Sequence, residues 1–64
     1  MKRVTFQSAD QDGLAKLEAW LRENSWYDYQ VIVQIDEGVY DVDSGHVAFF
    51  IDEARAFGLT AQSS

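Results

Sequence analysis

The sequence predicts a small α+β domain of order β-α-β-β-α, a three-stranded sheet with both helices on one face. Three observations lead there. Residues 2–7 and 27–36 alternate apolar and polar side chains with period two. Residues 9–24 and 44–57 repeat apolar side chains at spacings of three and four. A Glu37-Gly38 break separates residues 27–36 from a second short alternating run, 39–43.

In the first strand, β1 (residues 2–7), Val4 and Phe6 fall on one side and Arg3, Thr5 and Gln7 on the other. Ser8-Ala9-Asp10-Gln11 has the S-x-x-Q form of a capping box, with Asp10 and Asp12 suited to the positive end of a helix. Leu14, Leu17, Trp20 and Leu21 then form an apolar stripe opposite Lys16, Glu18, Arg22 and Glu23. Gly13 is expected to weaken this helix by about 1 kcal/mol relative to Ala.

In residues 27–36, Tyr27, Tyr29, Val31, Val33 and Ile35 alternate with Asp28, Gln30, Ile32, Gln34 and Asp36. An even loop to residues 39–43 pairs Ile35 with Tyr40 and Val33 with Val42 on the core face. It leaves Asp28, Gln30, Gln34, Asp36, Asp41 and Asp43 on the other face. A three-residue loop would instead bury Asp41 and Asp43, at a desolvation cost too large for so small a core. Asp43 or Ser44 caps the second helix, whose stripe is Val47, Phe50, Ile51, Ala54 and Phe57, with Gly58 as its left-handed stop. This helix is preferred to a rival strand over residues 46–51.

The right-handed crossover rule makes the first two strands parallel, with the third between them, a split β-α-β unit resembling half of a ferredoxin-like sandwich. The outer edge of β1 is then unpaired unless residues 59–61 add a short strand there, and a homodimer through that edge is one expectation. Residues 1–59 form the domain and 60–64 a frayed polar tail.

With 64 residues, the chain holds one domain and little room for an enclosed active site. Hydrophobic residues make up 47% of it, which argues against disorder, and there is no Cys for disulfides, thiolate chemistry or Cys-containing zinc sites. No apolar run approaches a membrane span and no signal peptide opens the sequence, so the expected location is cytoplasmic, with no membrane partner.

Charge carries the functional signal. Five Lys and Arg stand against 11 Asp and Glu, a net charge of −6. Between Arg22 and Arg55 there is no base, whereas Glu23, Asp28, Asp36, Glu37, Asp41, Asp43, Asp52 and Glu53 all lie there. The register above sets Asp28, Asp36, Asp41 and Asp43 on the helix-free face, with same-strand neighbours roughly 6.6 Å apart. That spacing is comparable to successive backbone phosphates. The expected partner is a protein with a basic nucleic-acid-binding surface. Asp28, Asp36, Glu37, Asp41 and Asp43, with Asp52 and Glu53, would stand in for phosphates. Trp26, Tyr27 and Phe49 would be the aromatic anchors. Small acidic phage and mobile-element proteins that block nucleases or CRISPR effectors share this size and charge. The same acidity disfavours direct nucleic-acid binding.

Other chemistry finds little support. His46 is the single histidine, so a two-His metal centre cannot form within one chain. Asp41-Val42-Asp43-Ser44-Gly45 resembles the start of a calcium loop, but its Gly comes one place early and position twelve is Asp52 rather than Glu. Asp43, Ser44 and His46 are adjacent in sequence, which does not make a triad. No enzyme, cofactor or metal is expected.

Overall fold

The computed structural model describes residues 1–8, 10 and 12–63. Four strands form one antiparallel sheet: β1 (Lys2–Ser8), β2 (Ile32–Asp36), β3 (Val39–Val42) and β4 (Leu59–Ser63), ordered β2-β3-β1-β4. Two helices, α1 (Asp12–Glu23) and α2 (Val47–Arg55), link β1 to β2 and β3 to β4. Short 3-10 turns, Trp26–Tyr29 and Ser44–His46, precede β2 and α2.

The fourth strand corrects two expectations at once. Residues 60–63 are not a frayed tail, because β4 pairs with β1 from Ser8↔Leu59 to Val4↔Ser63. Consequently β1 is interior, flanked by β3 and β4, and has no edge for a homodimer. The free edges belong to β2 and β4. The physical reason is local: Gly58, at φ +78, turns the chain out of α2, and Leu59 is buried beside β1 and α1. The element order is thus β-α-β-β-α-β, with a four-stranded sheet in place of the three strands expected.

The core lies between the sheet and the helix layer. Val4 and Phe6 of β1, Ile32, Tyr40, Val42 and Leu59 meet Leu17 and Leu21 of α1 and Phe50 and Ala54 of α2, all buried. Each large apolar side chain so buried contributes about 1.5–3 kcal/mol, the main term opposing chain entropy in a domain of this size. The stripes expected for both helices are the ones that face the core, and residues 47–51 are helical rather than extended.

The N-terminus of α1 is capped differently from the expected box. Asp10 Oδ1 accepts from the Asp12 amide at 3.0 Å and the Gly13 amide at 3.1 Å, while Ser8 Oγ accepts from the Asp10 amide at 3.2 Å. Gln11, the other half of the expected box, lies outside the described residues. At the next helical position, a Cβ on Gly13 would stand 2.5 Å from Ser8 Oγ, 3.0 Å from Leu59 Cδ2 and 3.1 Å from the Phe57 carbonyl. Gly13 is therefore a close-approach site between α1 and the α2–β4 junction, and its low helix propensity is outweighed by the packing it permits.

The largest departure is in residues 27–36. Residues 26–29 form a 3-10 turn flanked by Ser25 (φ 59) and Gln30 (φ 60), so the strand begins only at Ile32. Within β2 the faces are reversed: Ile32 is buried opposite Val42, while Val33 and Ile35 are 46% and 47% exposed. The turn is the expected even loop, since Asp36 pairs with Val39 across Glu37-Gly38. The next pair inward is Gln34↔Tyr40, which leaves Ile35 as an extra residue. A bulge of one residue inverts every side chain beyond it.

Two stability measurements check this packing. Gly13→Ala is expected to lower unfolding free energy by about 1–2 kcal/mol in urea, the opposite sign from a helix-propensity argument. Tyr40→Phe is expected to leave stability unchanged or raise it by up to about 1 kcal/mol. The reason is that Tyr40 is wholly buried and its hydroxyl lacks a hydrogen-bond partner of good geometry among the described residues. The neighbouring Tyr27 phenol and burial together push the Tyr40 phenol far up, burial more strongly, so this hydroxyl stays protonated.

Candidate functional site

The start of β2 and the end of β3 meet at one end of the sheet, where Ile32 pairs with Val42 and the Asp43 amide donates to the Val31 carbonyl at 2.7 Å. The chain segments entering and leaving this pair build the site. Before β2 comes the turn Trp26–Tyr29, and after β3 comes Ser44–His46. Together with Asn24 they line an open cavity of about 490 Å³, walled by Asn24, Trp26, Tyr29, Val31 and His46.

Aromatic contacts hold this end together. Trp26 lies against Phe49 at 5.3 Å, Phe50 at 5.2 Å and Tyr29 at 5.5 Å, and Trp20 sits 6.1 Å from Trp26. Edge-to-face geometry recurs, as the ring quadrupole favours: Trp26 and Phe50 are inclined by 82°. Phe50 is the buried floor, whereas Phe49 and Tyr29 are 40% and 65% exposed. Trp26 is half-buried and bridges the two.

His46 is fixed by its neighbour. Asp43 Oδ2 accepts from the Gly45 amide at 3.2 Å and lies 2.9 Å from His46 Nδ1. The His46 contact, reinforced by the Gly45 amide, holds the Asp43 carboxyl below its usual value. Asp43 is thus a cap for the 3-10 turn and an orienting group for one wall of the cavity. Asn24 donates its side-chain N–H to the Trp20 carbonyl at 2.9 Å, which leaves its amide oxygen to accept from elsewhere.

The ten residues proposed from sequence separate into distinct places. Trp26 and Phe49 are in contact. Asp28 is exposed in the same 3-10 turn as Trp26, and Asp52 and Glu53 lie one helical turn beyond Phe49 on α2. Asp52 is paired with Arg55 at 3.3 Å. Tyr27 is not an anchor in this cluster. It packs against the core beside Tyr40, where burial raises its phenol pKa.

The continuous acidic sheet face is not observed. Of the four acids assigned to it, Asp28 and Asp43 lie outside the strands. Asp41 is there, but it forms an ion pair with Arg3 directly opposite, Nε to Oδ1 at 2.9 Å, and the Arg3 hydrogen bond holds its carboxyl below the usual value. Gln34 shares the Tyr40 face and donates to Glu18 of α1. Val33 and Ile35 occupy the face meant for acids, a direct result of the bulge. Asp36 and Glu37 sit at the turn, some four strand steps or roughly 13 Å from the cavity end.

Comparison with family models, with characterised proteins and with solved structures finds no match to this chain. Among the described residues no helix is long and apolar enough to cross a membrane, and no group of three or more His, Asp or Glu is placed to hold a metal.

Tyr29 and Trp26 differ in what they do for the fold, and substitution separates them. Trp26→Ala is expected to cost about 2–4 kcal/mol, because it opens the contact between the turn and α2. Tyr29→Ala is expected to change stability by less than about 0.5 kcal/mol, as for an exposed surface site, in the same denaturant titration.

Proposed function

We propose that this protein is a small non-enzymatic inhibitor or adaptor that occupies the basic, nucleic-acid-binding groove of a larger protein. The observation that carries the reading is an exposed aromatic cluster set among carboxylates in a base-free stretch of chain. Trp26, Tyr29 and Phe49 offer apolar anchors, and Asp28, Asp43, Asp52 and Glu53 belong to the same turns and helix. Among the described residues Asp28, Asp36, Glu37 and Glu53 have no ion-pair partner. Such carboxylates attract a basic surface over a distance of several Å, and the aromatics supply short-range affinity once contact is made. Phosphate imitation of this kind needs negative charge held on a rigid frame. It does not need the flat acidic sheet expected from the alternation alone.

A second reading, a structural or regulatory homo-oligomer, is supported by the unpaired outer edge of β2, which carries the exposed Val33 and Ile35. A monomer in sedimentation at high micromolar concentration would count heavily against it.

The primary reading is tested by capture from a host lysate on immobilised protein, followed by elution at roughly 0.5 M salt, where charge interactions reach only a few Å. The expected result is a nucleic-acid-handling protein that elutes with salt and competes with DNA or RNA for binding. Asp28→Lys with Asp52→Lys is expected to weaken that capture at least about ten-fold with little change in melting temperature. Asp36→Lys with Glu37→Lys, an equal charge change at the opposite end, should weaken it less. Undiminished capture by the first double variant would overturn the assignment.

A further inference from the structure

We propose that the cavity walled by Asn24, Trp26, Tyr29, Val31 and His46 receives an arginine side chain of the basic partner. This inference rests on the binding function proposed above and names the contact by which it would be made.

The cavity, at about 490 Å³, is of ligand-binding size, larger than a single side chain and open enough for one to enter from a neighbouring protein. Its walls lie entirely within the part of the chain that has no Lys or Arg, and the one basic wall, His46, is paired with Asp43 at 2.9 Å. Asp43 sets a carboxylate against the His46 wall, and Asp28 belongs to the same 3-10 turn as the Trp26 and Tyr29 walls. Negative surroundings select a cation over a neutral or anionic group.

The aromatic walls select among cations. Trp26 and Tyr29 both line the cavity, their rings inclined at 60° with centroids 5.5 Å apart. A planar guanidinium stacks on an aromatic face and keeps its in-plane N–H groups for hydrogen bonds, whereas an ammonium does not. Asn24 supplies an acceptor for one of them, because its side-chain N–H is already committed to the Trp20 carbonyl and its oxygen is not. Val31 offers an apolar wall for the methylene stem. The exposure of Tyr29, at 65%, is otherwise unexplained by the packing of the domain.

The test compares capped hexa-arginine and hexa-lysine peptides, equal in charge, binding to the whole chain at low salt. Affinity is followed by tryptophan emission and by NMR shifts of the Trp26 indole and the Asn24 side-chain amide. Hexa-arginine is expected to bind about two- to five-fold more tightly and to move both signals. Tyr29→Ala should abolish the preference without weakening hexa-lysine, and Tyr29→Phe should retain it. Equal affinities, or a preference that survives Tyr29→Ala, would overturn the cavity assignment while leaving a charge-driven binding surface in place. Binding of neither peptide would overturn the proposed function itself.

Discussion

Two constraints of opposite parity meet in the β2–β3 hairpin, and the arrangement of this molecule depends on how they are reconciled. The core requires Ile32, Tyr40 and Val42 to face the helices. The turn is fixed independently, because Gly38, at φ +74, is pressed against β1, where the Phe6 amide donates to its carbonyl at 2.8 Å. A two-residue turn with regular pairing would bring Ile35 and Val33 inward and leave Ile32 in water. The extra residue at Ile35 satisfies both demands and leaves two β-branched side chains half exposed. That choice also sets Val33 opposite Asp41 and turns Gln34 to the Tyr40 face.

The helices and the first strand were legible in the sequence because their signals are local and redundant. Val4 and Phe6, the Leu17 and Leu21 stripe, and Phe50 with Ala54 each agree with propensity and period. Neither helix is capped as the sequence suggested: Asp10 caps α1, and Asp43 caps the 3-10 turn rather than α2. The run from Tyr27 to Asp36 was not, because alternation is a weak code where aromatics are involved. Tyr27 and Tyr29 fit a strand as readily as a 3-10 turn. The element was decided by the docking of Trp26 on Phe49 and Phe50, more than twenty residues away in the chain. β4 was visible only as a conditional, since Thr60, Ala61 and Gln62 have little apolar signal and owe their conformation to the open edge of β1.

The candidate site was half legible for the same reason. Trp26 and Phe49 could be marked because they lie off the helical stripe and the strand alternation, and they do converge. Tyr29 fits the strand alternation, and no local pattern ties Asn24 or His46 to it. The acids carry a different lesson. Their abundance is a property of composition, but their effect depends on placement. Arg3 neutralises Asp41 across the β1–β3 ladder, while Asp28 is exposed in the 3-10 turn that carries Trp26 and Tyr29. Where the base-free segment meets the exposed rings of Tyr29 and Phe49, carboxylates and aromatic side chains share one end of the molecule.

The interior position of β1 bears on how the chain reaches this structure. Every ladder partner of β1 lies more than half the chain's length away in sequence, whether in β3 or in β4. Only the β2–β3 hairpin is a local pairing. Of the two interior strands, β1 is therefore the one whose neighbours are most remote, and the entropy of closing those two long loops must be met before the ladder repays it. In such a topology the folding rate is governed by the search for distant partners.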